Sequence, residues 1–179
     1  MILLIHMLGG AAAGYTVFQA TGNISTALVA ALFVHYFLDL FPHIEYLESV
    51  DSSIKKLKAV GLSQSSSDIS KVLLDFVLGL AIIFLVSDNS LLVYLFALIT
   101  IVPDGLTVVS RLFPNKILAL HDAFHEKVHF LKNKKTRALN ELSARPSIKI
   151  LIFDALVSKP FRITTQVVVF VVSIILLYS

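Results

Sequence analysis

The chain of 179 residues contains no cysteine. Disulfides and thiolate metal sites are therefore excluded, and a bound metal would have to rely on imidazole, carboxylate or water. Charge is also scarce. Charged residues make up 15% of the chain and apolar ones 56%, with a mean hydropathy of +0.84. Ordinary globular domains carry about 25% and 45–50% respectively. The alternating pattern of a transmembrane barrel is missing, because the apolar residues fall in continuous runs. A basic leader is missing too: Met1-Ile2-Leu3-Leu4-Ile5-His6 has no cationic flank. The stretch Ala11-Ala12-Ala13 is accordingly read as part of a retained first helix, not as a cleavage site.

What the chain does have is several apolar runs of about 18 residues or more, long enough to cross hydrocarbon. Backbone donors in lipid must be paired within their own segment, which favours helices. The sequence predicts an all-α, polytopic helical membrane protein, with residues 1–179 forming one integral membrane domain. About five transmembrane helices are expected, over 2–20, 24–41, 69–87, 91–113 and 161–178. Amphipathic cytoplasmic or interfacial helices are expected over 44–60 and 114–142, and the short apolar piece 148–157 should lie at the interface. Gly10-x-x-x-Gly14, beside Gly9 and Ala13, gives the first span a small-residue face that admits close helix approach. Thr21-Gly22-Asn23 predicts a tight turn, with Asn23 or Ser25 capping the second helix. Asp88-Asn89-Ser90 joins the third and fourth spans as a helical hairpin. Pro103-Asp104-Gly105 is expected to interrupt the fourth.

The net charge of +3 matters less than its placement. Lys55, Lys56, Lys58 and Lys71 lie between the second and third spans. Arg111, Lys116, the stretch from Lys127 to Arg137, Arg145, Lys149, Lys159 and Arg162 lie between the fourth and fifth. The positive-inside rule puts both long connections and the N-terminus in the cytoplasm, and the C-terminus outside. Lipid contact is implied throughout, and nucleic-acid binding is a weak reading of the Lys-rich stretch.

On that topology the ionisable residues gather at one depth. His6, Asp75 and Asp104 fall in the inner halves of their spans. His35-x-x-x-Asp39-x-x-Pro42-His43 ends the second, and His121-x-x-x-His125-x-x-x-His129 lies on the cytoplasmic connection. Residues four apart share a helix face. Pro42 should end the helix and free His43 to turn back. Acids among apolar neighbours usually face a functional interior. His35, Asp39, His43, Asp75, Asp104, His121, His125 and His129 are therefore the candidate metal ligands. His6 reads as an interfacial residue reaching water. Imidazole with carboxylate suits zinc foremost, with manganese, iron or nickel as other fits. The outer ligands of each triplet stand about 12 Å apart along a straight helix, so one ion cannot take all three from an unbroken helix, and one or two ions are expected. Glu126 or Asp122 could orient or deprotonate a metal-bound water, and Arg111 could clamp an anion.

The pattern at 35–43, Pro103-Asp104 after an apolar span, and the later His cluster together resemble the bacterial membrane-bound metal-dependent hydrolases. These are small inner-membrane proteins described as LexA-regulated. The resemblance covers about His35 to His129. It implies a hydrolase with His35, Asp39, His43, Asp104 and His125 or His129 as ligands. The chain departs from the pattern at Gly105-Leu106, where the family often has a second acid. It departs again at Phe124-His125-Glu126-Lys127-Val128-His129, where the family often has an Arg/Thr-containing His motif. The expected function is metal-dependent hydrolysis of an ester or phosphoester, in a lipid-like or amphiphilic substrate, at the cytoplasmic face. The alternatives are a transporter component, a haem-binding protein or a scaffold. Transport fits poorly with the apolar outer halves Ala27–Phe33, Phe76–Val86 and Leu91–Ile99.

Overall fold

The structure, a computed structural model, describes residues 3–41, 66–87, 90–113, 115–128 and 158–178. Expectations for 44–60, 129–142 and 148–157, and for His43 and His129, lie outside the described residues. Six α-helices and no strand are found among those described: α1 (Leu3–Thr21), α2 (Ile24–Asp39), α3 (Ser66–Val86), α4 (Leu91–Leu112), α5 (Lys116–Val128) and α6 (Lys159–Tyr178). Three helical stretches are long and apolar enough to cross a membrane: Leu3–Thr21, Leu91–Ser110 and Pro160–Tyr178.

Polarity is turned outside in. Val29, Phe33, Leu73, Leu74, Leu85, Leu91 and Ile175 are exposed, whereas His6, His35, Asp39, Thr100, Thr107, His125 and Gln166 are buried. In water this distribution would be costly. In lipid the outer face meets a solvent as apolar as itself, and the polar groups find partners inside the bundle.

The hub is α1, which packs against α2, α3, α4 and α6. Lipid-exposed helices gain no hydrophobic drive from association, so close van der Waals contact between small residues has to hold them. Here the small-residue face has specific partners. A methyl at Gly10 would overlap the Thr100 side chain of α4. One at Gly14 would press into the Phe96 ring, and one at Gly9 would meet Leu38 of α2 at 2.9 Å. Thr100, fully buried, donates to Phe96 O at 2.7 Å within α4 and to Ala31 O of α2 at 3.2 Å. Helices α1, α2 and α4 thus meet at a single hydroxyl.

The turn before α2 forms as its residues dictate. Gly22 takes φ 65°, and the Asn23 side chain accepts from Ser25 N at 2.9 Å and Thr26 N at 3.2 Å. The far end of α2 tightens before Pro42, with Leu40 N donating to Phe37 O and Phe41 N to Leu38 O. Three-residue spacing of this kind satisfies the last carbonyls of a helix about to stop.

One expectation fails. Pro103 does not break the fourth span, because α4 runs without interruption from Leu91 to Leu112. Pro103 removes one helical hydrogen bond, but its ring is fully buried in the packed bundle. Neighbouring hydroxyls bond along the same helix, Thr107 to Pro103 O at 3.2 Å and Ser110 to Thr107 O at 2.7 Å. Packing against neighbours is what lets membrane helices keep an internal proline.

Gly10→Ala should destabilise the detergent-purified protein by about 1–3 kcal/mol through overpacking. Gly105→Ala should leave it unchanged or raise stability by up to about 1 kcal/mol, since nothing lies within 4 Å of the added Cβ. Thermal unfolding of the two variants side by side measures the difference.

Candidate metal centre

Four helices bring their ionisable residues to one place. On α2, His35 and Asp39 stand one turn apart on the buried face, and His35 Nε2 lies 3.1 Å from Asp39 Oδ2. Helix α5 begins with Asn115 Oδ1 accepting from Leu118 N at 2.9 Å, which fixes its start and sets the phase of the turns that follow. His125, two turns on from Leu118, faces inward, and its Nε2 lies 2.9 Å from Asp39 Oδ2 and 3.2 Å from His35 Nε2. Asp104 of α4 approaches from another side, with Oδ1 3.9 Å from His35 Nε2 and 3.7 Å from His125 Nε2. His6 of α1 completes the group, its Nε2 3.2 Å from Asp39 Oδ1. All are buried except Asp104, whose side chain is 15% exposed.

The triangle formed by His35 Nε2, Asp39 Oδ2 and His125 Nε2 has edges of 3.1, 2.9 and 3.2 Å. Two ligand atoms each about 2.05 Å from one ion stand about 2.9 Å apart at a right angle and about 3.3 Å apart at the tetrahedral angle. The observed edges fall in that interval. Buried His and Asp groups here can hold a metal ion, and two sets of three ligand atoms converge: His35, Asp39 and His125; and His6, His35 and Asp104.

Counting protons leads to the same conclusion. When the Thr107 hydroxyl proton is directed at Pro103 O, 3.2 Å away, its oxygen accepts from His125 Nδ1–H at 3.0 Å. A neutral imidazole carrying its proton on Nδ1 presents a bare lone pair at Nε2. That lone pair faces a carboxylate oxygen, which is also an acceptor. Protonating both Nε2 atoms would instead set two N–H donors against each other. With Asp39 ionised, no placement of protons on the imidazoles satisfies all three edges, whereas one cation does. The Thr107 contact is the outer-shell support that metal-bound histidines usually have.

Aromatic rings wall the centre. Tyr36 packs edge-on against His35 at 5.2 Å and Phe124 at 5.4 Å, and the His6 and His35 rings meet at 4.4 Å, tilted by 34°. His121, one turn before His125 on α5, stacks on it at 5.8 Å. Both His121 ring nitrogens are buried with no hydrogen-bond partner. Burial, helped by nearby His125, lowers its pKa below the ordinary imidazole value, so His121 is neutral at pH 7.

Comparison with protein-family models, with curated proteins and with solved structures gives no match. The centre therefore rests on its own geometry.

Of the residues singled out by sequence, His35, Asp39, Asp104 and His125 are brought together. His121 borders them without joining either convergent set. Asp75 is elsewhere: its carboxylate accepts from Leu4 N at 3.1 Å and caps the N-terminus of α1, where orphan backbone donors favour an acid. Glu126 is on the exposed side of α5, about 100° round from His125, and Asp122 is half-buried. Neither joins a convergent set. Nothing is described for the side chain of Arg111. His6 does not reach water as its place near a helix end suggests, since it is 1% exposed. Its shared depth with the other ionisable groups was the signal that pointed to it. Thr107 was overlooked, although it sits three residues after Asp104 on the same face.

Metal analysis of the purified protein should show bound divalent metal that His35→Ala, Asp39→Ala and His125→Ala each lose. Thr107→Val should keep the stoichiometry but weaken affinity about 10- to 100-fold. Asp75→Ala should leave metal content unchanged and lower stability by about 1 kcal/mol, the usual worth of an N-terminal cap.

Proposed function

We propose that this protein is a membrane-embedded, metal-dependent hydrolase that cleaves an ester or phosphoester in a lipid-like or amphiphilic substrate. The observation that carries this reading is the buried triangle of His35, Asp39 and His125 with an acid, Asp104, on its more exposed side. Zinc is the favoured ion. A divalent cation in such a site supplies an acidified water and positive charge beside a developing oxyanion.

The chain's own residues have separate tasks. Asp39 and the two imidazoles hold charge in place, and Thr107 keeps His125 in the tautomer whose lone pair faces the centre. Tyr36 and Phe124 form an apolar wall against which an acyl or alkyl group can lie. Asp104 lines the side from which substrate enters. In the overall reaction the oxygen of water replaces the ester oxygen on the acyl carbon or phosphorus, and the leaving alcohol takes up a proton.

The placement of α5 favours a substrate drawn from the lipid. Ile117, Leu120 and Phe124 are exposed along one stripe, as expected of a helix lying in the membrane interface, while His125 faces the bundle. The resemblance to the bacterial membrane-bound metal-dependent hydrolases agrees with this reading. The reading includes an arrangement of about five spans in a bacterial inner membrane, with the N-terminus and the centre on the cytoplasmic side and the C-terminus outside.

Two measurements test it. Purified protein loaded with zinc should release product from short-chain and long-chain esters or phosphoesters, with the long-chain substrates favoured. His125→Ala should remove the activity, and unaltered activity in that variant sinks the reading. Because the chain has no cysteine, single cysteines introduced at Lys116 and Tyr178 report sidedness directly. An impermeant thiol reagent added outside should label the second and not the first.

A further inference from the structure

We propose that the centre holds two divalent cations bridged by the Asp39 carboxylate, with His6 as a terminal ligand of the second. This rests on the hydrolase reading above only in taking the His35–Asp39–His125 triangle as the first cation position.

The oxygens of Asp39 face different partners. Oδ2 lies 3.1 Å from His35 Nε2 and 2.9 Å from His125 Nε2, whereas Oδ1 lies 3.2 Å from His6 Nε2. One carboxylate therefore faces imidazole nitrogens on both sides, the arrangement of a bridging ligand. The ligand atoms of His6, His35 and Asp104 also converge as a set of their own. A ring nitrogen has a single lone pair, so His35 Nε2 can serve only one ion. Giving His35 and His125 to the first ion leaves His6, Asp39 Oδ1 and Asp104 for the second. Each ion then has three protein ligands and keeps open positions, as catalytic sites do. Two ions so bridged would lie close enough to act on one substrate, as in two-metal hydrolytic sites, where the ions stand about 3.5–4 Å apart.

Charge then selects the substrate. Two divalent cations against the carboxylates of Asp39 and Asp104 leave the centre positive. The one other buried acid among the described residues, Asp75, is turned to Leu4 N at the start of α1, so that surplus must be met by anions entering the centre. A phosphoester together with hydroxide meets it, and a neutral carboxylic ester does not. The substrate class narrows to amphiphilic phosphoesters.

The burial of His6 supports the assignment. Its side chain is 1% exposed on the helix that carries Gly9 and Gly10, and the absence of side chains there lets α1 come close enough to α2 and α4 for His6 to reach Asp39.

The test is metal stoichiometry in the full-length, detergent-purified chain, stripped with chelator and reloaded separately with Mn²⁺ and Zn²⁺. Two ions per chain are expected, and the Mn²⁺ form should give the electron paramagnetic resonance signature of an exchange-coupled pair. His6→Gln keeps an N–H donor toward Asp39 but is a poor ligand. It should bind one ion per chain and show an uncoupled Mn²⁺ signal. Asp104→Asn should do the same, so a folding failure of either variant leaves the other to decide. One ion per chain in the wild type, or two coupled ions in His6→Gln, overturns the proposal while leaving the His35–Asp39–His125 site standing. No bound ion in the wild type removes both.

Discussion

Three potential ligand atoms from two helices, His35 Nε2, Asp39 Oδ2 and His125 Nε2, lie buried within 3.2 Å of one another. With Asp39 ionised, no distribution of protons makes every edge of that triangle favourable. In water such a cluster would open until the repulsion was relieved. Inside an apolar bundle the low dielectric strengthens the repulsion, so the arrangement calls for positive charge. The centre is thus the place where the bundle departs from simple apolar packing.

The rest of the bundle is arranged to make that approach possible. Glycines on α1 remove the side chains that would hold α2 and α4 away, and Thr100 fastens α4 to α2 at the same level. The amphipathic α5, with its apolar stripe facing outward, brings His125 in from outside the spans. Thr107 sets the orientation of His125, and through Pro103 O it ties that orientation to the backbone of α4. Packing, proton placement and ion binding are therefore linked. Loosening α1 would shift the centre, and removing Thr107 would alter its tautomer without moving a helix.

Much of this was legible in the chain. The helical class followed from continuous apolar runs, and the pairing of His35 with Asp39 followed from the helical repeat. The turn at Gly22-Asn23 and the close face around Gly10 followed from residue types with a single mechanical use. Less could be read at Pro103, where local chemistry argues for a break and the packed neighbours override it. Asp75 shows the same limit. An acid near a helix end is compatible with metal, lysine or a backbone terminus, and only the arrival of Leu4 N decides the matter.

Composition and periodicity determined that the protein is helical and apolar on its outside, and which residues share a helix face, because these depend on neighbours at most a turn or two away. The tertiary structure alone decided that His6 belongs with Asp39, that Asp75 does not, and that His125, not His121, joins the convergent ligand atoms. Those outcomes depend on how closely separate helices approach and on the phase in which α5 begins. The second is set locally by the Asn115 cap, but the first is fixed by contacts between residues about 70 to 90 positions apart, a range over which local rules carry no information.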